Sequence, residues 1–253
     1  MRAGVARAAC PVMAPRHLNA AIAVLFMVGS ACFALGTIPW YVNAVGIVPD
    51  AITFFVGSIF FTSASFAQLI QAQSPQMAPG PDGDDLTRRA IVVRAWLPHD
   101  RGWLAAATQF PGTLAFNGST AFAIATSLTA SQAHRLVWVP DFVGSILFLV
   151  SSAFAILALG PLLELEPQSL AWEIAWLNMI GSIFFMVSAI ASYVLPDSSR
   201  ALDPRWANLG TLLGALCFFA GAALMLPEWA HALRSARAQR SPDDLGLASA
   251  RGS

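Results

Sequence analysis

The sequence predicts an all-α protein, a polytopic transmembrane helix bundle with six spans arranged as three repeated hairpins. Of its 253 residues, 57% are hydrophobic and 11% are charged, against roughly 25% charged residues in a soluble globular domain. The apolar residues form six long runs, each with the same glycine-containing motif. Charges this sparse cannot cover the surface of a water-soluble enzyme. The balance of 14 basic and 14 acidic residues excludes a basic nucleic-acid-binding protein.

Each apolar run can form a helix that crosses a bilayer, because roughly 30 Å of hydrocarbon takes about 20 residues. No run has an Arg in its interior, and the sequence has no Lys. The runs are too long for strands and do not alternate apolar with polar residues. The predicted spans are residues 18–38, 50–72, 104–128, 138–159, 174–195 and 206–226.

Short connections group these spans into three hairpins of one orientation, which makes them parallel repeats about an axis along the membrane normal. The arginines predict which side the termini occupy, since cytoplasmic segments carry the excess of basic residues. Eleven arginines lie in the tails and the linker, and three lie in the opposite connections. We therefore expect a multi-pass plasma-membrane protein with both termini in the cytoplasm. The predicted organisation is a cytoplasmic tail at 1–17, hairpin 1 at 18–72, a cytoplasmic linker at 73–103, hairpin 2 at 104–159, a cytoplasmic loop at 160–173, hairpin 3 at 174–228 and a disordered cytoplasmic tail at 229–253.

The internal repeat is a Gly followed by a small residue and, four residues after the Gly, a Phe. Offsets of four and seven residues fall on one face of a helix, so each helix carries a stripe of small, Phe and small residues. Such stripes let helices approach closely in lipid, where packing drives association; the alternative is a stripe that lines a ligand site. The glycines are Gly29, Gly57, Gly118, Gly144, Gly181 and Gly214, and the phenylalanines are Phe33, Phe61, Phe122, Phe148, Phe185 and Phe218.

Four stretches carry a resemblance to a known family: 54–63 (FFVGSIFFTS), 136–148 (LVWVPDFVGSILF), 172–190 (WEIAWLNMIGSIFFMVSAI) and 208–227 (NLGTLLGALCFFAGAALMLP). The paired helices resemble the YrhK-like membrane domain. The three-hairpin arrangement is similar to an uncharacterised polytopic membrane protein family of high-GC Gram-positive bacteria. The resemblance covers roughly residues 18–228 and implies a helical hairpin fold, but no activity and no catalytic residues.

Asp141 is the first candidate for a functional residue, because ionisable groups inside a membrane are expensive. It follows Pro140, as Asp50 follows Pro49 in the second span. One interpretation is structural, since Pro suits the first turn of a helix and an acid there complements the helix dipole. In the other, the fourth helix starts near Ser131, and Asp141 is a buried acid that faces a cavity.

Three amides inside predicted spans complete the candidate polar site with Asp141. They are Asn117, Asn178 and Asn208. Amides in hydrocarbon usually form hydrogen bonds between helices, and the alternative is contact with a substrate. The spacing of these amides, and of the His and Cys residues, matches no catalytic, cofactor-binding or metal site. No such site is therefore predicted.

The function predicted is that of a non-enzymatic structural or partner-binding membrane protein. The expected partners are the lipid bilayer and either a second copy of the chain or another membrane protein, with no nucleic acid and no cofactor. The alternative is a small-solute or ion transporter or channel that uses polar groups around Asp141. A continuous polar cavity joining Asp141, Asn117 and Asn178 would favour transport, and its absence would count against it.

Overall fold

The computed structural model describes residues 15–74, 92, 94–160, 169–195 and 201–250, with side chains from residue 18 to residue 227 within these ranges. The described residues contain helices and a single isolated β-bridge, between Val194 and Ala201. The predicted all-α class is therefore confirmed. The helices are α1 (Pro15–Gly36), α2 (Pro39–Val45), α3 (Ile47–Gln73), α4 (Arg101–Ala123), α5 (Ala130–Gln132), a π-helical turn (Ala133–Trp138), α6 (Val139–Ala158), α7 (Leu170–Ala191) and α8 (Pro204–Ala250).

Five segments of the described chain are long and apolar enough to cross a membrane. They are Leu18–Gly36, Ile47–Gln73, Ala130–Ala158, Leu170–Ala191 and Pro204–Pro227. The sequence predicts six spans, one more than these five. The additional predicted span is the one that corresponds to α4. This helix has 23 residues, but Gln109, Asn117 and several hydroxyl side chains make it less apolar than the other five.

The six long helices form a closed ring. Sequence neighbours pack most extensively, α1 with α3, α4 with α6 and α7 with α8. Further contacts of α3 with α4, α6 with α7, and α8 with α1 complete the ring. Paired helices run antiparallel: Phe26 of α1 meets Phe61 of α3, and nearer the turn Phe33 meets Phe54. The turns that connect the two helices of each pair lie at the same end of the ring, and we call this end the hairpin end. We call the opposite end the terminal end.

The second pair differs from its predicted boundaries at its turn. The spans predicted at 104–128 and 138–159 imply a loop at 129–137, but the helix begins at Ala130. Thr129 and Gln132 form a capping box: the Thr129 Oγ1 accepts from the Gln132 backbone N–H at 3.3 Å, and the Gln132 Oε1 accepts from the Thr129 N–H at 2.9 Å. This reciprocal pair satisfies two free N–H groups and starts a helix there.

The C-terminal segment also differs from its prediction. The expected disordered tail at 229–253 is helical as far as Ala250, because α8 is one helix from Pro204 to Ala250. The segment is rich in Ala with Arg and Leu, which are among the best helix formers.

Glycines bring the paired helices together. A Cβ atom at Gly57 would lie 2.8 Å from the Cβ of Cys32 and 3.0 Å from the carbonyl oxygen of Gly29. In the third pair, a Cβ at Gly214 would lie 2.6 Å from the Phe185 ring and 3.0 Å from the Gly181 oxygen. Only glycine leaves room for backbones this close.

In α4 the structure corrects the glycine predicted from the repeat. A Cβ at Gly118 would meet no atom of a neighbouring helix within 4 Å. The Gly112 carbonyl oxygen instead lies 3.1 Å from where a Cβ of Gly144 would be. Both glycines precede a small residue and, four residues on, a Phe. The position of α4 along its axis relative to α6 determines that Gly112, and not Gly118, contacts α6. The local motif does not specify this position.

Candidate functional site

Six buried phenylalanines fill the middle of the ring, one from each long helix. Each is only 2–8% exposed, and the contacting rings have centroids 5.1–6.4 Å apart. Most of these pairs are edge-to-face, the arrangement that aromatic rings prefer. We call this group the aromatic cluster; it consists of Phe33, Phe61, Phe116, Phe148, Phe185 and Phe218.

The α4 member of the cluster differs from the prediction for the same reason as its glycine. Phe122, taken from the repeat, is 45% exposed, whereas Phe116 is 8% exposed and contacts Phe148 at 5.1 Å between ring centroids. Phe116 follows Gly112 by four residues. The shift of six residues along α4 therefore moves the whole stripe.

A cavity of about 500 Å³ opens on the hairpin-end side of the aromatic cluster. We call it the hairpin-end cavity. A smaller pocket of about 30 Å³ continues from it into the cluster and shares Phe33, Asp141, Ser188 and Thr211 with its lining. The polar side chains that line the larger cavity are Ser119, Thr120, Thr126, Asp141, Ser188, Ser192, Asn208 and Thr211.

Asp141 is the third residue of α6, but the helical segment does not begin there, because α5 and the π-helical turn run into α6 without a break. The segment Ala130–Ala158 starts eleven residues before it and includes the π-helical turn. At the end of that turn, the Val139 N–H donates to the His134 oxygen, a bond five residues long. Pro140 explains the wider turn, because its ring clashes with the carbonyl four residues earlier and it has no N–H. The structure thus supports the interpretation in which Asp141 faces a cavity.

Asp50, the other acid that follows a proline, occupies the position that the structural interpretation predicts, at the start of a helix. It is in the first turn of α3, which begins at Ile47 after Gly46. Gly46 has a φ of +89°, a conformation that glycine adopts without strain. Asp50 does not line the hairpin-end cavity, so the two Pro-Asp pairs have different surroundings.

Aromatic side chains form one wall of the hairpin-end cavity near Asp141. Trp138 lines the cavity, and its indole Nε1 donates to the Ala189 oxygen of α7 at 2.8 Å. His134 stacks on Trp138 and contacts the edge of Tyr193. Neither His134 nor Arg135 lines the cavity. Among the described residues that do, Asp141 is the only charged one.

Equivalent positions of three helices face this cavity with different side chains. Three residues before the packing glycine stand Phe54 in α3, Asp141 in α6 and Thr211 in α8. All three line the hairpin-end cavity. Helices with this motif therefore pack with an aromatic, an acid or a hydroxyl at that position, and packing does not require the acid.

Two adjoining cavities, of about 220 and 240 Å³, lie on the terminal-end side of the aromatic cluster. Both are lined by Gln68, Gln109 and Asn178, and both reach Phe218 of the cluster. We call them together the terminal-end cavity. It contains amides and serines, and no charged side chain among the described residues that line it.

The four predicted polar residues do not form one site. Asp141 and Asn208 line the hairpin-end cavity, whereas Asn178 lines the terminal-end cavity. Asn117 lines neither, and its buried Oδ1 has no hydrogen-bond partner. Because the aromatic cluster separates the two cavities, no continuous polar cavity formed by the described residues joins Asp141, Asn117 and Asn178. The condition that would have favoured transport is not met in this conformation.

Known chemistry offers no further assignment for this site. The described residues contain no group of three or more His, Cys, Asp or Glu side chains that could hold a metal ion. No family model matches the chain, and comparisons with curated proteins and with solved structures found no similar protein.

Proposed function

We propose that α4 crosses the membrane with the five more apolar helices, which makes six spans in three hairpins with both termini in the cytoplasm. Its length of 23 residues suits a span. It occupies one place in the ring, between α3 and α6. Its polar residues Thr113, Ser119 and Thr120 are buried within the ring, so they need not face lipid. The proposed relationship to YrhK-like hairpins depends on the sequence stretches 54–63, 136–148, 172–190 and 208–227.

We further propose that this plasma-membrane protein is non-enzymatic and acts by binding a ligand or a membrane-protein partner. One observation supports this proposal above others: the aromatic cluster closes the ring between the two cavities. Rings in contact at 5.1–6.4 Å leave a pocket of only about 30 Å³ there. A pocket of this size holds about one water molecule. A ligand that enters the hairpin-end cavity therefore remains on that side.

A flux measurement on reconstituted protein tests this proposal. The full chain is placed in liposomes that contain K⁺ and a fluorescent indicator for cations. We expect ion and small-solute leakage equal to that of protein-free liposomes. Wild-type leakage that is clearly faster and proportional to the amount of protein would contradict a closed binding protein.

The second candidate function is a small-solute or ion transporter. The missing continuous cavity counts against an open channel, whereas one cavity on each side of the aromatic cluster fits alternating access. A transporter that exposes its site to one side at a time needs a closure between opposing cavities. In that case the aromatic cluster is the closure, and Phe148→Ala should increase flux. Phe122→Ala is the matched control, because Phe122 is 45% exposed and outside the cluster.

A further inference from the structure

The hairpin-end cavity combines one carboxylate with aromatic and hydroxyl walls. Asp141 supplies the charge, and Phe33, Phe54 and Trp138 supply aromatic surface. The volume of about 500 Å³ lies within the range of small-molecule sites, about 300–1,000 Å³. We propose that this cavity binds a small organic ammonium ion, with Asp141 as its counter-charge. This inference rests on the binding role proposed above and names the class of ligand.

Asp141 has no charged partner among the described residues that line the cavity. The hydrogen bonds among the described side chains include none to its carboxylate, and no Arg, Lys or His lines the cavity with it. Asp141 is partly buried at the cavity wall, and an ionisable residue within a membrane span typically pairs with an opposite charge or faces a cavity. A ligand with a positive charge supplies that pair, and a neutral or anionic ligand does not.

The aromatic walls favour an organic cation over a metal ion. Ammonium groups are attracted to the faces of aromatic rings, and Phe33 and Phe54 supply such rings in the cavity wall. The Trp138 ring is stacked with His134 and Phe142 and supplies apolar surface for the hydrocarbon part of such a ligand. Hard metal cations instead require several convergent oxygen ligands. Two of the hydroxyls that line the cavity are bonded to each other: Ser188 Oγ and Thr211 Oγ1 lie 2.7 Å apart. The cavity thus offers hydroxyls and aromatic rings around a single carboxylate, and only one charged oxygen ligand for a metal ion.

The comparison between helices shows that the acid is not there for packing. Phe54 and Thr211 occupy the positions in α3 and α8 that Asp141 occupies in α6, and all three face the cavity. The π-helical turn before Asp141 is a second departure from regular helix, and such turns occur frequently at functional sites. Both departures fall on the same wall of the same cavity.

The test uses the full chain in lipid nanodiscs and two probes of one shape. Phenethylammonium carries the charge, and 2-phenylethanol is its neutral counterpart. We expect calorimetry to show binding of phenethylammonium and at least about tenfold weaker binding of the alcohol, since a tenfold ratio is about 1.4 kcal/mol. Asp141→Asn should weaken phenethylammonium binding at least about tenfold, the same free-energy step. Asp50→Asn, the matched control in the other Pro-Asp pair, should leave it unchanged.

A second variant covers the case in which Asp141→Asn does not fold. Asp141→Thr places at this position the side chain that α8 carries, and it should fold and lose the charge-dependent binding. Equal binding of the two probes, or unchanged binding of phenethylammonium in a folded Asp141 variant, would overturn the proposal. So would selective binding of Na⁺ instead of the probe, or no binding at about 10 mM probe. If neither probe binds and the liposomes do not leak, the ammonium proposal is wrong and the proposal of a closed binding protein stands. If the liposomes leak, the proposal of a closed binding protein is wrong, and the ammonium proposal is still decided by the binding measurement.

Discussion

At the scale of single residues, the protein depends on pairs of small and aromatic side chains. A missing Cβ at Gly57 lets the α1 and α3 backbones approach, and the space is bounded by the Phe33 ring. In lipid there is little hydrophobic force between helices, so van der Waals contact and backbone proximity determine how tightly they associate. A side chain at such a position therefore separates two helices and does more than fill a local gap.

Substituting Gly57 tests this packing directly. A Cβ there would lie 2.8 Å from Cys32 and 2.9 Å from Phe33. We expect Gly57→Leu to destabilise the fold by about 1–3 kcal/mol or more, the usual cost of overpacking. The measurement is the yield of monodisperse protein and its thermal unfolding in detergent.

The control for that substitution is Gly118→Leu. A Cβ at Gly118 would have no neighbouring-helix atom within 4 Å, so yield and unfolding temperature should stay close to wild type. Equal losses in the two variants would show that leucine is tolerated poorly at any helical glycine and would remove the packing argument.

At the scale of elements, hydroxyl pairs join helices of neighbouring pairs, α3 to α4 and α6 to α7. Ser58 of α3 lies 3.0 Å from Thr120 of α4, oxygen to oxygen, and Ser152 of α6 lies 2.9 Å from Ser182 of α7. Between α8 and α1, the side chains that the structure describes form no such pair, and Ser30 of α1 is buried without a hydrogen-bond partner. Hydrogen bonds of this kind contribute modestly in membranes, about 0.6 kcal/mol on average.

A double-mutant cycle on the α6–α7 contact measures this contribution. We expect Ser152→Ala and Ser182→Ala to show a coupling energy of about 0.5–1 kcal/mol, because each serine is the other's buried partner. The readout is reversible unfolding in mixed micelles. A second cycle pairs Ser182 with Ser63, which is exposed and bonds within its own helix; its coupling should be near zero. A first cycle that also gives zero would mean that the oxygen–oxygen contact adds no stability.

At the scale of the whole molecule, ring closure gives every long helix two neighbours and an inward side. The inward sides create the aromatic cluster and the cavities on either side of it. Helix α4 belongs to this ring although it is less apolar than the five candidate spans, since its polar residues Thr113, Ser119 and Thr120 are buried within the ring. Hydropathy alone therefore separates α4 from the other five, whereas its contacts place it with them.

The number of spans has a direct consequence for the two ends of the chain. Six spans put both termini on one side of the membrane, and five put them on opposite sides. We expect reporters fused to the N- and C-terminus to be cytoplasmic, in agreement with the arginine distribution, and a reporter inserted after Ser127 to be external. A cytoplasmic N-terminus with an external C-terminus would show that α4 does not cross.

Much of the fold could be predicted from sequence because its signals are local. Long apolar runs, sparse charge and a repeated Gly and Phe motif occur in the chain itself and predict an all-helical membrane bundle. Five of the six phenylalanines of the aromatic cluster follow from that motif. The sixth, Phe116, could not be separated from Phe122, since both follow a glycine and a small residue at the same spacing.

The candidate site shows the same division between local and long-range information. The sequence by itself determined that Asp141 is an acid within an apolar run, and it left two surroundings open for that acid. Only the tertiary structure placed Asp141 on the wall of a cavity, apart from Asn117 and Asn178. The physical reason is that helix depth and facing depend on contacts between residues distant in the chain, such as that of Gly112 with Gly144, and no local pattern records those contacts.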